Sequence, residues 1–224
     1  DLVLSNPPWV RAHRWPDALG ELVRERYAVC RDPGWRRGAR LAGAPGGVGA
    51  QVDLSLLFLE RSLRLLAPDG ALALLLPAKS IRSLYGGSAR RMLLRERRLV
   101  ALEDHSLDQR SIFRADAFAA SLIARKARPR EAAGDGTKDG GGRGSASTVA
   151  PVVRVTMVRR GVEPLRFALS QHDLGVVPGD DAAPWLLAPP AARSALRQMQ
   201  RAGPPLGEHR GMRVRRGVVT GAND

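Results

Sequence analysis

A continuous apolar run, Ala71-Leu72-Ala73-Leu74-Leu75-Leu76, stands between the stop signal Pro68-Asp69-Gly70 and Pro77. It is strand-length, and the lack of any polar break predicts a strand covered on both faces, as in a parallel sheet. Upstream, Leu54, Leu57, Phe58 and Leu65 recur at helical spacing, with Leu56, Leu63 and Leu66 widening the stripe, and Asp53 stands where an N-cap is needed. A helix feeding a buried strand is the repeating unit of an open α/β sheet.

The rest of the 224 residues continues that alternation. Asp1-Leu2-Val3-Leu4-Ser5 reads as a short buried strand, followed by a proline turn and a helix over 16–29. An irregular stretch then runs to Gly49, carrying Arg31, Arg36, Arg37 and Arg40 as either a phosphate contact or a solvated charge run. A helix over 88–96 and strands over 99–103 and 117–124 follow. Residues 129–150 turn to Gly, Ser, Asp and charged side chains with almost nothing to bury, which predicts a flexible linker or surface loop. Beyond it, strands are expected over 152–158 and 165–169, a helix over 191–201 and the start of a strand over 214–220. The chain has no initiator Met and stops in mid-pattern, so it is expected to be a piece of a longer protein.

The formal net charge is +14, from 36 basic and 22 acidic residues. Such a surface favours polyanions, because cations that neutralise phosphates release condensed counterions. Nearly all the basic residues are Arg, which also fits the codon usage of a GC-rich genome, and both readings stay open. Cys30 is the only cysteine, so neither an intrachain disulfide nor a thiolate cluster can form. No apolar run reaches the roughly 20 residues a membrane-spanning helix requires. A cytoplasmic protein without a membrane partner is expected.

The chemistry-bearing segment is Asn6-Pro7-Pro8-Trp9, placed where the first strand leaves the sheet at its carboxyl end, the location at which open α/β folds build ligand sites. An exocyclic amine is a poor nucleophile because its lone pair is delocalised. Two acceptors, the Asn6 side-chain oxygen and the Pro7 carbonyl, can each take one N–H, hold the nitrogen and favour tetrahedral geometry as positive charge develops. Pro7 and Pro8 fix two φ angles and offer no competing donors. Trp9 can stack on a planar group.

These residues resemble the catalytic motif of amino-directed methyltransferases, and the downstream pattern is similar to the gamma-class, TaqI-like DNA adenine-N6 methyltransferases of restriction-modification and phage-defence systems. The resemblance runs through Asp53-Leu54-Ser55-Leu56-Leu57-Phe58-Leu59-Glu60-Arg61-Ser62-Leu63, then Leu65-Leu66-Ala67-Pro68-Asp69-Gly70, then Leu76-Pro77-Ala78-Lys79, and covers most of the first 126 residues. Ser111-Ile112-Phe113 looks like the family segment whose Phe clamps a flipped adenine, which gives Phe113 that role beside Trp9. Gly217-Val218-Val219-Thr220-Gly221-Ala222-Asn223-Asp224 resembles the entry to the target-recognition region. Trp stands at position 9 where Tyr is commoner in the family, and it cannot supply a phenolic hydrogen bond.

The resemblance implies a partial Rossmann-like methyltransferase sheet, later strands present and first strands missing, followed by the start of a target-recognition region. The implied division is 1–128 for the later part of the catalytic domain, 129–150 for a linker, and 151–224 for a connector and the start of the specificity domain. It implies S-adenosylmethionine as cofactor, with its main site upstream of Asp1, and double-stranded DNA as partner, with restriction or defence-system subunits as further candidates. The base would be flipped out of the duplex to reach the tetrapeptide. The piece alone is expected to be inactive. Gly46-Gly47-Val48-Gly49 follows a loop rather than a strand and is read as structural. His105, beside Asp104, is read as a solvated loop histidine; His13, His172 and His209 lack ligand spacing, and no metal site is expected. Lys79 either meets phosphate or borders the cleft. Other readings are a protein-glutamine or RNA-base N-methyltransferase, which share the motif, and a non-catalytic DNA-binding defence subunit.

Overall fold

The computed structural model describes residues 1–31, 34–41, 52–108, 118–126 and 151–204, with backbone alone for 39–41 and 96–98. Its frame is one six-stranded sheet: β1 (Leu2–Ser5), β2 (Ala71–Pro77), β3 (Arg97–Leu107), β4 (Ala119–Lys126), β5 (Val152–Arg159) and β6 (Leu165–Ser170), in the order β1-β2-β4-β3-β5-β6. β1 is parallel to β2 and β3 is parallel to β5, while β4 is antiparallel to both β2 and β3, and β6 to β5. Four strands therefore point one way, and their carboxyl ends share one edge of the sheet. The α/β expectation holds, but β4 and β6 run against it, because apolar periodicity carries no information on strand direction. β5 and β6, beyond the 129–150 segment, hydrogen-bond onto the same sheet through β3.

The helices are α1 (Asp17–Arg26), α2 (Ala28–Arg31), α3 (Arg36–Leu41), α4 (Leu54–Leu65), α5 (Lys79–Arg82), α6 (Gly87–Glu96) and α7 (Pro190–Ala202). One face of the sheet carries the core: Leu72, Leu74 and Leu76 alternate inward against Leu56, Leu59 and Leu63 of α4 and Leu93 of α6, all essentially inaccessible. The opposite face is not closed. Ala71, Ala73 and Leu75 are half-buried, and on β1 Leu2 and Leu4 are 69% and 78% exposed. Two expectations are thereby corrected. β2 is covered fully on one face only, and β1 is an edge strand rather than a buried one, because among the described residues no helix packs over this side.

The α4 stripe is also rotated from its expected position. Phe58 and Leu65, counted as core, are 44% and 63% exposed, whereas Glu60 lies in the buried face at 1%. Apolar residues sit on both sides of this helix, so spacing alone admits two phases. Glu60 decides between them: its carboxylate accepts the Ala28 and Val29 amides, each at 3.0 Å, and pairs with Arg64. Those amides are the unpaired first donors of α2, which needs an acceptor at its start. The single helix expected over 16–29 is accordingly two, α1 and α2, separated by Tyr27 in extended conformation.

Two further corrections concern polar residues. The stretch expected to be irregular contains α3, which holds Arg36 and Arg37 on a helix. His105 lies on β3 rather than in a loop, its side chain only 14% exposed and its Nε2 2.9 Å from Glu103 Oε1. Asp104, beside it, is buried and pairs with Arg82. Phe113, the Gly46–Gly49 string, residues 129–150 and residues 214–224 lie outside the described residues.

Buried arginines bind the segment after β6 to the helical layer. The Arg90 guanidinium, 1% exposed, donates to the carbonyls of Ser80 at 3.1 Å and Ala182 at 2.6 and 3.1 Å. Burial pushes its pKa down to about 9, an effect the nearby Asp180 opposes. Gly86 permits this approach, because a Cβ there would sit 1.8 Å from the Ser80 carbonyl oxygen and 2.7 Å from Arg90 Nη1. Trp35 adds a 2.7 Å bond from its indole N–H to Asp180 Oδ2.

Candidate functional site

β1 ends at Ser5, in register with Leu74 of β2, and the tetrapeptide Asn6-Pro7-Pro8-Trp9 leaves from the carboxyl edge of the sheet. Asn6 and Pro8 are exposed, Pro7 is buried and Trp9 is half-buried. Asn6 and Ser5 line a groove of about 400 Å³ together with Leu4, Leu75, Ser121 and Ile123. The Trp9 indole N–H points to the Leu75 carbonyl at 3.4 Å, which ties the ring to the end of the adjacent strand. Asn6 thus borders an open groove, whereas Pro7 beside it is buried.

The downstream side of the tetrapeptide is pinned. Leu54 N donates to the Val10 carbonyl at 2.9 Å, Ala12 N donates to the Val52 carbonyl at 2.8 Å, and the Trp15 indole donates to Val10 at 2.9 Å. The exit from residues 6–9 is therefore stitched, through the Arg11 and Asp53 bridge, to the start of α4. Asp53 caps that helix as the sequence suggests, Oδ1 accepting Ser55 N at 2.9 Å. Buried Tyr85 packs behind this junction. Burial first, and the Asp53 carboxylate after it, push the phenol above its ordinary range, with Ser80, Ser83 and Arg11 opposing. On the other side Ala78 N donates to the Phe118 carbonyl at 2.8 Å, holding the end of β2 against the entry to β4, and Arg82 pairs with buried Asp104.

Among the described residues, the groove beside Asn6 is lined by apolar side chains, two hydroxyls and one amide, with no carboxylate, imidazole, amine or thiol. The described lining offers no side chain to serve as general base. It offers the Asn6 amide oxygen as an acceptor beside apolar walls, which suits a nucleophile that needs its hydrogens held rather than removed beforehand. Among the described residues no group of three His, Cys, Asp or Glu could hold a metal, and no helix is long and apolar enough to cross a membrane.

Of the expected site residues, Asn6 lines the groove, Pro7, Pro8 and Trp9 follow it in the chain without lining it, and Phe113 falls outside the described residues. Lys79 is exposed at the start of α5. Sequence reasoning missed the support: Glu60, Arg90, Tyr85 and the pairing of 10–12 with 52–54. A lone acid inside a leucine stripe was the one available sign for Glu60; nothing local marks the others.

No family model matches the chain. It is 26% identical to the type II methyltransferase M.XhoI of Xanthomonas vasicola over 99% of this chain and 36% of that protein. It is also 26% identical to the type II methyltransferase M.PaeR7I of Pseudomonas aeruginosa, over 100% of this chain and 34% of that protein. The chain spans about a third of the length of these curated relatives. Among solved structures, it resembles the M protein of the type I restriction enzyme EcoKI with TM-score 0.37 and 14% identity, over 70% of this chain and 25% of that one. It also resembles the type IIG restriction endonuclease BpuSI with TM-score 0.40 and 14% identity, over 88% and 17% of the two chains. Along its whole length, then, the chain is similar in sequence to type II methyltransferases.

Proposed function

We propose that this chain is the later part of the catalytic domain of a DNA methyltransferase of the gamma, TaqI-like class, acting in a restriction-modification or related defence system on N6 of a flipped-out adenine. The observation that carries the reading is the placement of residues 6–9: an exposed Asn at the carboxyl end of a sheet strand, on a groove whose described lining has no ionisable side chain, with an aromatic ring anchored beside it. The similarity to type II methyltransferases over nearly the whole chain supports it.

In this reading Asn6 Oδ1 and the Pro7 carbonyl accept the two amino hydrogens of the base and aim its lone pair. Trp9 stacks on the ring, replacing part of the energy lost on leaving the duplex. The ladder from 10–12 to 52–54, with the Asp53 cap, keeps the acceptors in place, since a site on rigid supports holds geometry better than one on a free loop. Phe113 is the second stacking candidate. We assign double-stranded DNA as substrate, further restriction or defence subunits as partners, and the cytoplasm as compartment.

S-adenosylmethionine is the methyl donor in this reading, but the described lining of the Asn6 groove does not fit it. A nucleoside with ribose hydroxyls calls for a carboxylate beside a Gly-rich turn following a strand, and that lining has no carboxylate. No step is therefore assigned here to residues that would hold the donor. We also propose that 1–128 belongs to the catalytic domain and that 151–224 forms a connector and the start of the specificity region, with β5 and β6 as the connector's contact to the sheet.

Product analysis tests the proposal. The full-length protein, incubated with DNA and labelled S-adenosylmethionine, should yield N6-methyladenine. Label in cytosine, in RNA or in a protein glutamine, or no label at all, would reject it.

A further inference from the structure

The carboxyl edge of the sheet holds more than residues 6–9. β5 runs parallel to β3, so its end, Arg159, points the same way as Ser5. In register, Ser5 lies level with Leu74, Leu122, Leu102 and Val155. The β5–β6 ladder ends two residues beyond that level, at Met157 and Leu165, and the turn made by 158–164 projects further, through Gly161 at φ +71°. Arg159 and Arg160 are both exposed on it.

The charge balance of this edge is one-sided. Among the described residues its acids are largely engaged: Asp53 caps α4, Asp104 pairs with Arg82, and Glu163 on the same turn pairs with Arg166 at 3.4 Å. Among the described residues Asp108 follows β3 at this edge, against exposed Lys79 after β2 and exposed Arg159 and Arg160 at the end of β5. For Arg159 and Arg160 no ion pair is found among the described residues.

Four strand intervals separate β1 from β5. At about 4.8 Å each they place the turn ~19 Å along the edge from the tetrapeptide. That length matches roughly six nucleotides of one DNA strand at ~3.4 Å per nucleotide. A duplex presenting a flipped base to Asn6 and lying along this edge brings its backbone over the turn.

We propose that the β5–β6 turn is a DNA-backbone clamp, in which Arg159 and Arg160 bind phosphates about six nucleotides from the methylated base. This inference rests on the proposed function. The contact is sequence-independent: it fixes orientation on the duplex and leaves base readout to other residues.

The experiment measures DNA affinity of the full-length protein against salt, with a mixed-sequence duplex as probe. Replacing both residues, Arg159→Ala with Arg160→Ala, should lower the steepness of log affinity against log salt by about 1.8, from two phosphates at ~0.9 each. Arg125→Ala, an exposed arginine at the opposite edge of the sheet, should leave the slope as it is. The Lys replacements at 159 and 160 should restore the slope, which separates charge from misfolding. An unchanged slope in the folded double-Ala protein, or an equal loss with Arg125→Ala, overturns the clamp. Failure of the unsubstituted protein to methylate DNA instead overturns the proposed function, because the clamp predicts a difference in binding and makes no demand on turnover.

Discussion

Replacing Glu60 by Ala removes the acceptor on which the start of α2 depends. Val29 is 1% exposed, so its amide cannot turn to water when the carboxylate is gone, whereas half-buried Ala28 regains part of its hydration. Hydrogen bonds to a charged acceptor contribute about 1.5–3 kcal/mol each. The Arg64 pairing counts for little, because that side chain is 47% exposed and screened. Counting one full and one partial loss gives about 3–4 kcal/mol, without a helix-propensity penalty because Ala favours the helix. For a chain of this size that corresponds to a fall of roughly 6–16 °C in Tm. Glu60→Gln keeps one carbonyl oxygen but turns an N–H₂ toward the second amide, so about half the loss is expected. Arg64→Ala should cost under about 1 kcal/mol. Thermal and urea unfolding followed by circular dichroism measure all three. A loss below about 1 kcal/mol for Glu60→Ala, or a larger one for Arg64→Ala, would refute the assignment of Glu60 as the cap of α2.

Cys30 follows from the same neighbourhood. Burial first, then the Glu60 charge, push its thiol from 9.0 up to about 11, with Arg24 opposing. Native alkylation near neutral pH should therefore run roughly 100-fold slower than in the unfolded chain, since the thiolate is the nucleophile; equal rates would contradict the shift. With the folded value raised, the thiol's contribution to stability is complete below pH 9 and is lost as pH climbs toward 11, which a denaturation series across that range would detect. Trp9→Ala in the full-length protein should weaken capture of an extruded base by roughly 1–3 kcal/mol. A fluorescent base analogue at the target position reports this, and unchanged extrusion would count against stacking.

How much was legible in the sequence differs between the strands and what supports them. β2 and the tetrapeptide could be read locally, because an unbroken apolar run after Pro-Asp-Gly and a proline pair after a strand each carry their own physics. α4 was legible as a helix but not in its rotation, since Phe58 and Leu65 have the right spacing and yet face outward. Its phase is set by Glu60, whose partners lie 31 and 32 residues away. The break at Tyr27 has the same distant cause. β4 was visible as a strand, but its direction depends on insertion between β2 and β3, a tertiary fact without a local signature. At the candidate site, Asn6 to Trp9 stood out by composition, while the ladder that pins them, between 10–12 and 52–54, joins two unremarkable stretches. Nothing local sets Arg90 apart from the other arginines of the chain, because the carbonyls of Ser80 and Ala182 that enclose it lie 10 and 92 residues away.

The most direct test of the central claim compares binding with methyl transfer in the full-length protein carrying Asn6→Ala. If the Asn6 oxygen holds the amine in the transition state, single-turnover transfer should fall by at least about 10²–10³-fold, while affinity for DNA, carried mainly by phosphate contacts, stays within a few fold. Transfer at an undiminished rate would contradict the claim.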